Sequence, residues 1–230
     1  MSIYAIGDLH LSFSADKPMD VFGEEWAGHT ARLSENWRGT VKEEDTVIIA
    51  GDISWALKYQ DAEADLRWIA ALPGDKALIR GNHDLWWPSI SRLSAFDPRM
   101  HFIQNNFFES EGVAICGGRG WILPGGDDFT AHDEKIYLRE IQRLRLSLEA
   151  AEKAGFREKL VALHFPPSNE RGQPTGFTGL MEEFGVRTVV YGHLHGKDVF
   201  GKGIRGNVRG TEYSLVSLDY LSCMPKKIVK

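Results

Sequence analysis

The chain has 230 residues, 43% hydrophobic and 26% charged, an ordinary globular composition with room for one large domain or two small ones. A net charge of −5 and a pI near 5.9 offer no broad basic surface to nucleic acid, and no apolar run reaches bilayer length. Cys116 and Cys223 are too few for a disulfide framework and the opening MSIYAIGDLH lacks a signal-peptide pattern, so a cytoplasmic protein with reduced thiols is expected.

In chain order, short β-branched runs predict buried strands at Ile3–Ile6, Thr46–Ala50, Ala77–Ile79, Leu160–Leu163 and Thr188–Tyr191. Between them, Trp55–Leu72 has helical period and stops at Pro73-Gly74, and Leu85–Phe96 predicts a further helix. His101–Asn105 and Val113–Cys116 read as strands joined by a turn around Ser110–Gly112. Thr130 with Asp133 caps a helix whose Tyr137, Ile141, Leu144, Leu148 and Ala151 share one face. Gly117–Asp128 and Pro166–Gly176 are loops, Lys197–Arg209 is rich in glycine, and Tyr213–Leu221 alternates as an edge or sandwich strand does. An α/β opening and a β-rich close predict two sheets in one body with helices outside. With no repeat, low-complexity tract or linker, residues 1–230 are read as a single domain.

The strand endings carry the polar chemistry. IYAIGDLH ends in Asp8 and His10, TVIIAGD in Asp52, ALIRGNHD in Asn82, His83 and Asp84, LVALHFPP in His164, and TVVYGHLH in His193 and His195. Five of the 8 histidines fall there; His29, His101 and His132 do not, and read as surface or capping residues. Ligand sites of open α/β sheets lie outside the carboxyl ends of strands. Asp8, His10, Asp52, Asn82, His164, His193 and His195 are all oxygen or imidazole donors, too many for one tetrahedral ion but suited to two ions sharing a carboxylate. Such a pair, about 3.5–4 Å apart, is the clamp of many phosphatases and nucleases. It would also place local positive charge on an acidic protein, which phosphate esters need.

The ordered set GD-x-H, GD, GNHD, a lone strand-end His and GH-x-H, spanning Gly7 to His195, resembles the calcineurin-like metallophosphoesterases. That resemblance implies an α/β fold of two mixed β-sheets packed as a sandwich flanked by helices. It implies that Asp8, His10 and His195 hold one divalent ion and Asn82, His164 and His193 a second, with Asp52 bridging them. His83 would act on the leaving group, with Asp84 orienting its ring. The activity implied is hydrolysis of a phosphate mono- or diester by a hydroxide bridging two ions. Imidazole plus carboxylate suits Mn, Fe, Zn, Co or Ni. Two departures, GDISWA without a following Asp-Arg-Gly and GDLHL in place of GD-x-H-G, tilt the expectation from protein substrates toward small-molecule or nucleotide phosphate esters.

Several residues keep two readings. Arg80 resembles the arginine that contacts phosphate in protein phosphatases, and also suits an ordinary strand end. Arg119, with Asp127 and Asp128, sits on a loop that could overhang the site, where Arg119 either binds substrate or stays clear of it. Trp86 and Trp87 either stack a nucleobase at the rim or belong to the core. For the whole chain, the alternatives to an esterase are a non-catalytic metal-binding scaffold of the same fold, against which His83 argues, and a nuclease, against which the acidic charge argues. Lys226, Lys227 and Lys230 are too short a basic tail for a nucleic-acid function.

Overall fold

In β1 (Ile3–Ile6), Ile3 and Ala5 face one way, Tyr4 and Ile6 the other, and both sides are buried. A strand that is apolar on both faces needs cover above and below. The structure, a computed structural model describing residues 1–125 and 129–229, supplies that cover in layers. Asp127, Asp128 and Lys230 lie outside the described residues.

The first sheet has the order β11-β1-β2-β3-β4, with β2 at Thr46–Ala50, β3 at Asp75–Ile79, β4 at Met100–Ile103 and β11 at Lys226–Val229. β1 to β4 run parallel and β11 closes the edge antiparallel to β1. The second sheet has the order β5-β6-β7-β8-β10-β9: Phe107–Ser110, Val113–Gly118, Lys159–Leu163, Thr188–Tyr191, Thr211–Leu215 and Gly206–Val208. Its inner strands β6, β7, β8 and β10 are parallel, and β5 and β9 are antiparallel edges.

Ile3, Ala5, Ile48, Ala50, Ala77 and Ile79 of one sheet meet Ile115, Leu160, Ala162, Val190 and Val216 of the other in a central core. Helices α1 (His29–Thr40) and α2 (Tyr59–Ala70) bury Leu33, Trp37, Leu66 and Ile69 on the outer face of the first sheet. Helices α4 (Ala131–Lys153) and α5 (Gly176–Glu183) bury Leu144, Leu148, Phe177 and Met181 on the outer face of the second. The result is a four-layer α/β/β/α sandwich of two mixed sheets. Among the described residues no helix is long and apolar enough to cross a membrane, and both cysteines are buried and unpaired.

The expected strands and the Thr130–Asp133 capping box are present. Other expectations need correction. β4 does not pair with β6; β5 intervenes and forms that hairpin, while β4 lies parallel to β3 in the other sheet. Of the two readings of Tyr213–Leu221, the sandwich strand holds and the edge does not: β10 is interior, and it runs from Thr211 only to Leu215. The helix expected from Leu85 is only α3 (Ile90–Leu93), because Pro88 disfavours helical backbone at Trp87. The helix expected from Trp55 begins at Tyr59; Trp55 instead lies in the loop, its N–H bonded to Leu11 O at 2.9 Å. α1 goes unread in the sequence because its buried side is a thin stripe of His29, Leu33 and Trp37 on an otherwise polar segment.

Candidate metal centre

All the polar strand endings meet where the carboxyl ends of the two sheets come together. The loops after β1 and β2 run side by side, with Asp8 N donating to Gly51 O and His10 N to Asp52 O, both at 2.9 Å. A bond from Gly7 N to Val216 O at 2.7 Å ties the first sheet to the second. At this seam Asp8, His10, Asp52 and His193 have φ of 59°, 46°, 50° and 71°, left-handed backbone that costs an ordinary residue about 1–2 kcal/mol. Each hook turns a side chain back over the seam. Strain of this kind persists where surrounding contacts over-determine it. Glycine permits the closest approaches: a Cβ on Gly81 would run into Asp52, and one on Gly192 into the Asp8 carboxylate.

The seven donors gather in two groups. Asp8, His10 and His195 form one, and Asp52, His164 and His193 the other, with donor atoms in each group within 4.8 Å of one another. Asn82 joins the second, its Oδ1 2.6 Å from His164 Nε2 and 3.1 Å from His193 Nδ1. Asp52 Oδ2 stands between the groups, 3.4 Å from His164 Nε2 and 3.8 Å from His10 Nε2. His164 turns Nδ1 to Ala50 O at 3.0 Å, and His195 turns Nδ1 to Asp219 Oδ1 at 3.0 Å. Ligating histidines are commonly held in this way, leaving the other nitrogen for a metal. His195 Nε2 and His10 Nδ1 are buried with no hydrogen-bond partner among the described residues. The orphaned His195 Nε2, 3.3 Å from Asp8 Oδ1, fits a divalent cation held beside that carboxylate. A cavity of about 310 Å³ opens over the groups and is lined by His10, Asp52, His83, His193 and His195.

A family model described as calcineurin-like phosphoesterase matches residues 1–197. The chain belongs to that family. It is also similar to the gene 66 protein of Mycobacterium phage L5, 38% identical over 77 residues, which are 34% of this chain and 37% of that protein. This match thus spans well under two thirds of the phage protein. Among solved structures, the phosphopantetheinyl hydrolase PptH of Mycobacterium tuberculosis is similar with a TM-score of 0.56 at 14% identity, over 99% of this chain and 95% of that one. TT1561 of Thermus thermophilus is similar with a TM-score of 0.61 at 13% identity, over 99% and 97%. At these identities the two structures speak for the fold alone.

Around the two ligand groups, the remaining site residues divide. His83 lines the cavity, its N–H donating to Asp52 Oδ1 at 2.8 Å and its Nε2 4.0 Å from Asp52 Oδ2. Asp84 does not orient the His83 ring. Its carboxylate is buried and accepts from Ile53 N, Ser54 N, Gly81 N and Trp86 Nε1, so it stitches the β2 and β3 loops together instead. Arg80 and Arg119 line a separate cleft rather than this cavity. Arg80 Nε donates to Asp84 O at 3.1 Å, and the buried Glu140 carboxylate draws Arg119 to 3.1 Å and Arg143 to 3.0 Å. Trp86 and Trp87 belong to the core; Trp87 gives its indole N–H to Gln104.

Three contributors escape sequence reading. Asp219, far along the chain, accepts from His195 and from Gly196 N at 3.0 Å. Trp55 stacks on His10 with centroids 4.8 Å apart and lies 4.3 Å from the His83 ring, and Trp26 abuts His195 at 5.4 Å. A lone Asp in SLDYL and a tryptophan opening a helical period carry no local signal of such roles.

Burial opposes charge on His164, but Asp52 and Asp8 outweigh it and raise its pKa to about 9. His195 likewise overcomes burial through Asp8 and Asp219 and rises to about 10. Burial lowers His10 to about 4 despite Asp52. His193 falls to about 3 through burial and repulsion from His164. At pH 7 the metal-free site therefore holds protons on His164 and His195 and none on His10 and His193. A cation must displace the first pair, so filling both groups at pH 7 is expected to release about two protons per chain. Each group's affinity then rises about tenfold per pH unit up to the pKa of its protonated histidine. Calorimetry in buffers of differing ionisation enthalpy reads the release; heats that do not depend on the buffer would contradict it.

Proposed function

We propose that this protein is a binuclear-metal phosphoesterase hydrolysing a small-molecule or nucleotide phosphate mono- or diester. The observation that carries the reading is the position of the Asp52 carboxylate between two ligand groups, beneath a cavity that also exposes His83. Divalent ions held there would supply Lewis acidity toward the phosphoryl oxygens and acidify water toward neutrality. Asp8, His10 and His195 would hold one ion, and Asn82, His164 and His193 the other. Asp52 would serve both.

The protein's own groups do the rest. Asp219 holds the His195 ring so that Nε2 faces Asp8 at 3.3 Å, and Ala50 O holds the His164 ring so that its Nε2 faces Asp52 at 3.4 Å. Burial lowers the pKa of His83, which makes its protonated ring a stronger acid toward the departing ester oxygen. Trp55 backs that ring and limits its movement. An exposed ring over the ligand groups has no evident use in a scaffold.

The test is turnover of p-nitrophenyl phosphate and bis-(p-nitrophenyl) phosphate by protein loaded with manganese, iron, zinc, cobalt or nickel. Hydrolysis of at least one substrate with at least one metal is expected. Silence across the panel would assign the fold to a metal-binding scaffold instead.

A further inference from the structure

The cavity lining is chemically mixed. Beside the donors it includes Met19, Phe22, Trp26 and Trp55. Three of these come from one excursion between β1 and α1, two 3-10 turns at Met19–Phe22 and Glu24–Trp26. Met19 and Trp26 are buried and anchor the turns in the outer core of the first sheet. Phe22, carried between them, is 64% exposed and lines the cavity. Folding gains little from an aromatic ring left in water on an anchored turn, whereas a ligand gains a surface against which to lose its hydration.

Charge sharpens the choice of ligand. Asp20, Glu24 and Glu25 lie on the same turns, and Glu25 lines the cavity. Lys17 is drawn over the Trp55 ring at 4.6 Å. A substrate whose alcohol part carried further phosphates would meet these carboxylates, and an uncharged apolar part would not. The volume of about 310 Å³ is at the small end of ligand pockets.

Resting on the phosphoesterase reading above, we infer that the substrate is a phosphate ester of an uncharged, apolar alcohol. Its apolar part packs against Phe22, Met19 and Trp55, and nucleoside polyphosphates and polynucleotides are turned away at the Glu25 lip. Hydrolysis then adds water across the P–O bond: oxygen from water joins phosphorus, and the departing apolar alkoxide takes a proton and leaves as the alcohol.

Phosphonates separate binding from chemistry, because their P–C bond is not cleaved by this reaction. Titrating manganese-loaded protein calorimetrically, 1-naphthylmethylphosphonate is expected to bind about tenfold or more tighter than 2-hydroxyethylphosphonate, from the extra apolar area buried. Phe22→Ser, at an exposed position, should cut that ratio severalfold, and Glu25→Gln should strengthen ATP binding severalfold. Equal binding of the two phosphonates by the unaltered protein, or a ratio unchanged by Phe22→Ser, overturns the inference. If the ratio appears but no ester is ever turned over, the esterase reading fails and the apolar subsite stands. If esters are hydrolysed without the ratio, the reverse holds.

Discussion

Asp52→Asn is expected to lower kcat/KM for phosphate esters by at least about a thousandfold, the effect of losing several kcal/mol of charge stabilisation. The substitution keeps shape and removes one negative charge from the position both ligand groups share. Asp52 Oδ1 holds the His83 main chain, and asparagine can still accept that bond; Oδ2 faces His164 and His10, where an amide would present a donor. Fewer than two ions per chain should therefore remain after gel filtration, read by elemental analysis beside the kinetics. The His164 pKa, raised mainly by Asp52 against burial, should fall in the metal-free variant, a change visible by NMR titration. Two ions per chain with turnover within tenfold of the parent would remove Asp52 from its bridging role.

His83→Ala should behave in the opposite way with respect to metal. Its ring is 43% exposed and its Nε2 is 4.0 Å from Asp52, farther than the nitrogens of His164 and His10, so both ions should stay. The rate should fall by about 10²–10⁴, the usual worth of a positioned proton donor. The loss should shrink for p-nitrophenyl esters, whose leaving oxygen needs little protonation, and grow for phenyl or alkyl esters. A loss that does not vary with the leaving group would point to substrate positioning instead of proton donation. Full turnover of an alkyl ester would end the assignment.

Much of the architecture is written locally. β1, β2 and β8 can be placed in the sequence to the residue because each is an apolar run ended by glycine and a polar group, and burial on both faces leaves no polar alternation to confuse the reading. The Thr130–Asp133 box is equally local, a contact between residues three apart. The donor residues can be read for the same reason: seven oxygen and imidazole side chains stand at strand ends, where an α/β topology delivers them to one rim.

Partnership is not local. Asp84 follows His83 in sequence yet spends its carboxylate on the loops of β2 and β3, because four N–H donors reach it first. Arg119 turns away from the cavity toward the buried Glu140 carboxylate on α4, and Arg80 spends its Nε–H on the Asp84 main-chain oxygen. Residue types and their order thus determined the inner strands and the family, and named the candidate donors. Only the packing of one sheet on the other decided which donors face each other, that Asp219 braces His195, that four hooks take left-handed backbone, and that Phe22 and Trp55 wall the cavity. Each of these depends on distances between segments far apart in the chain, which no local pattern encodes.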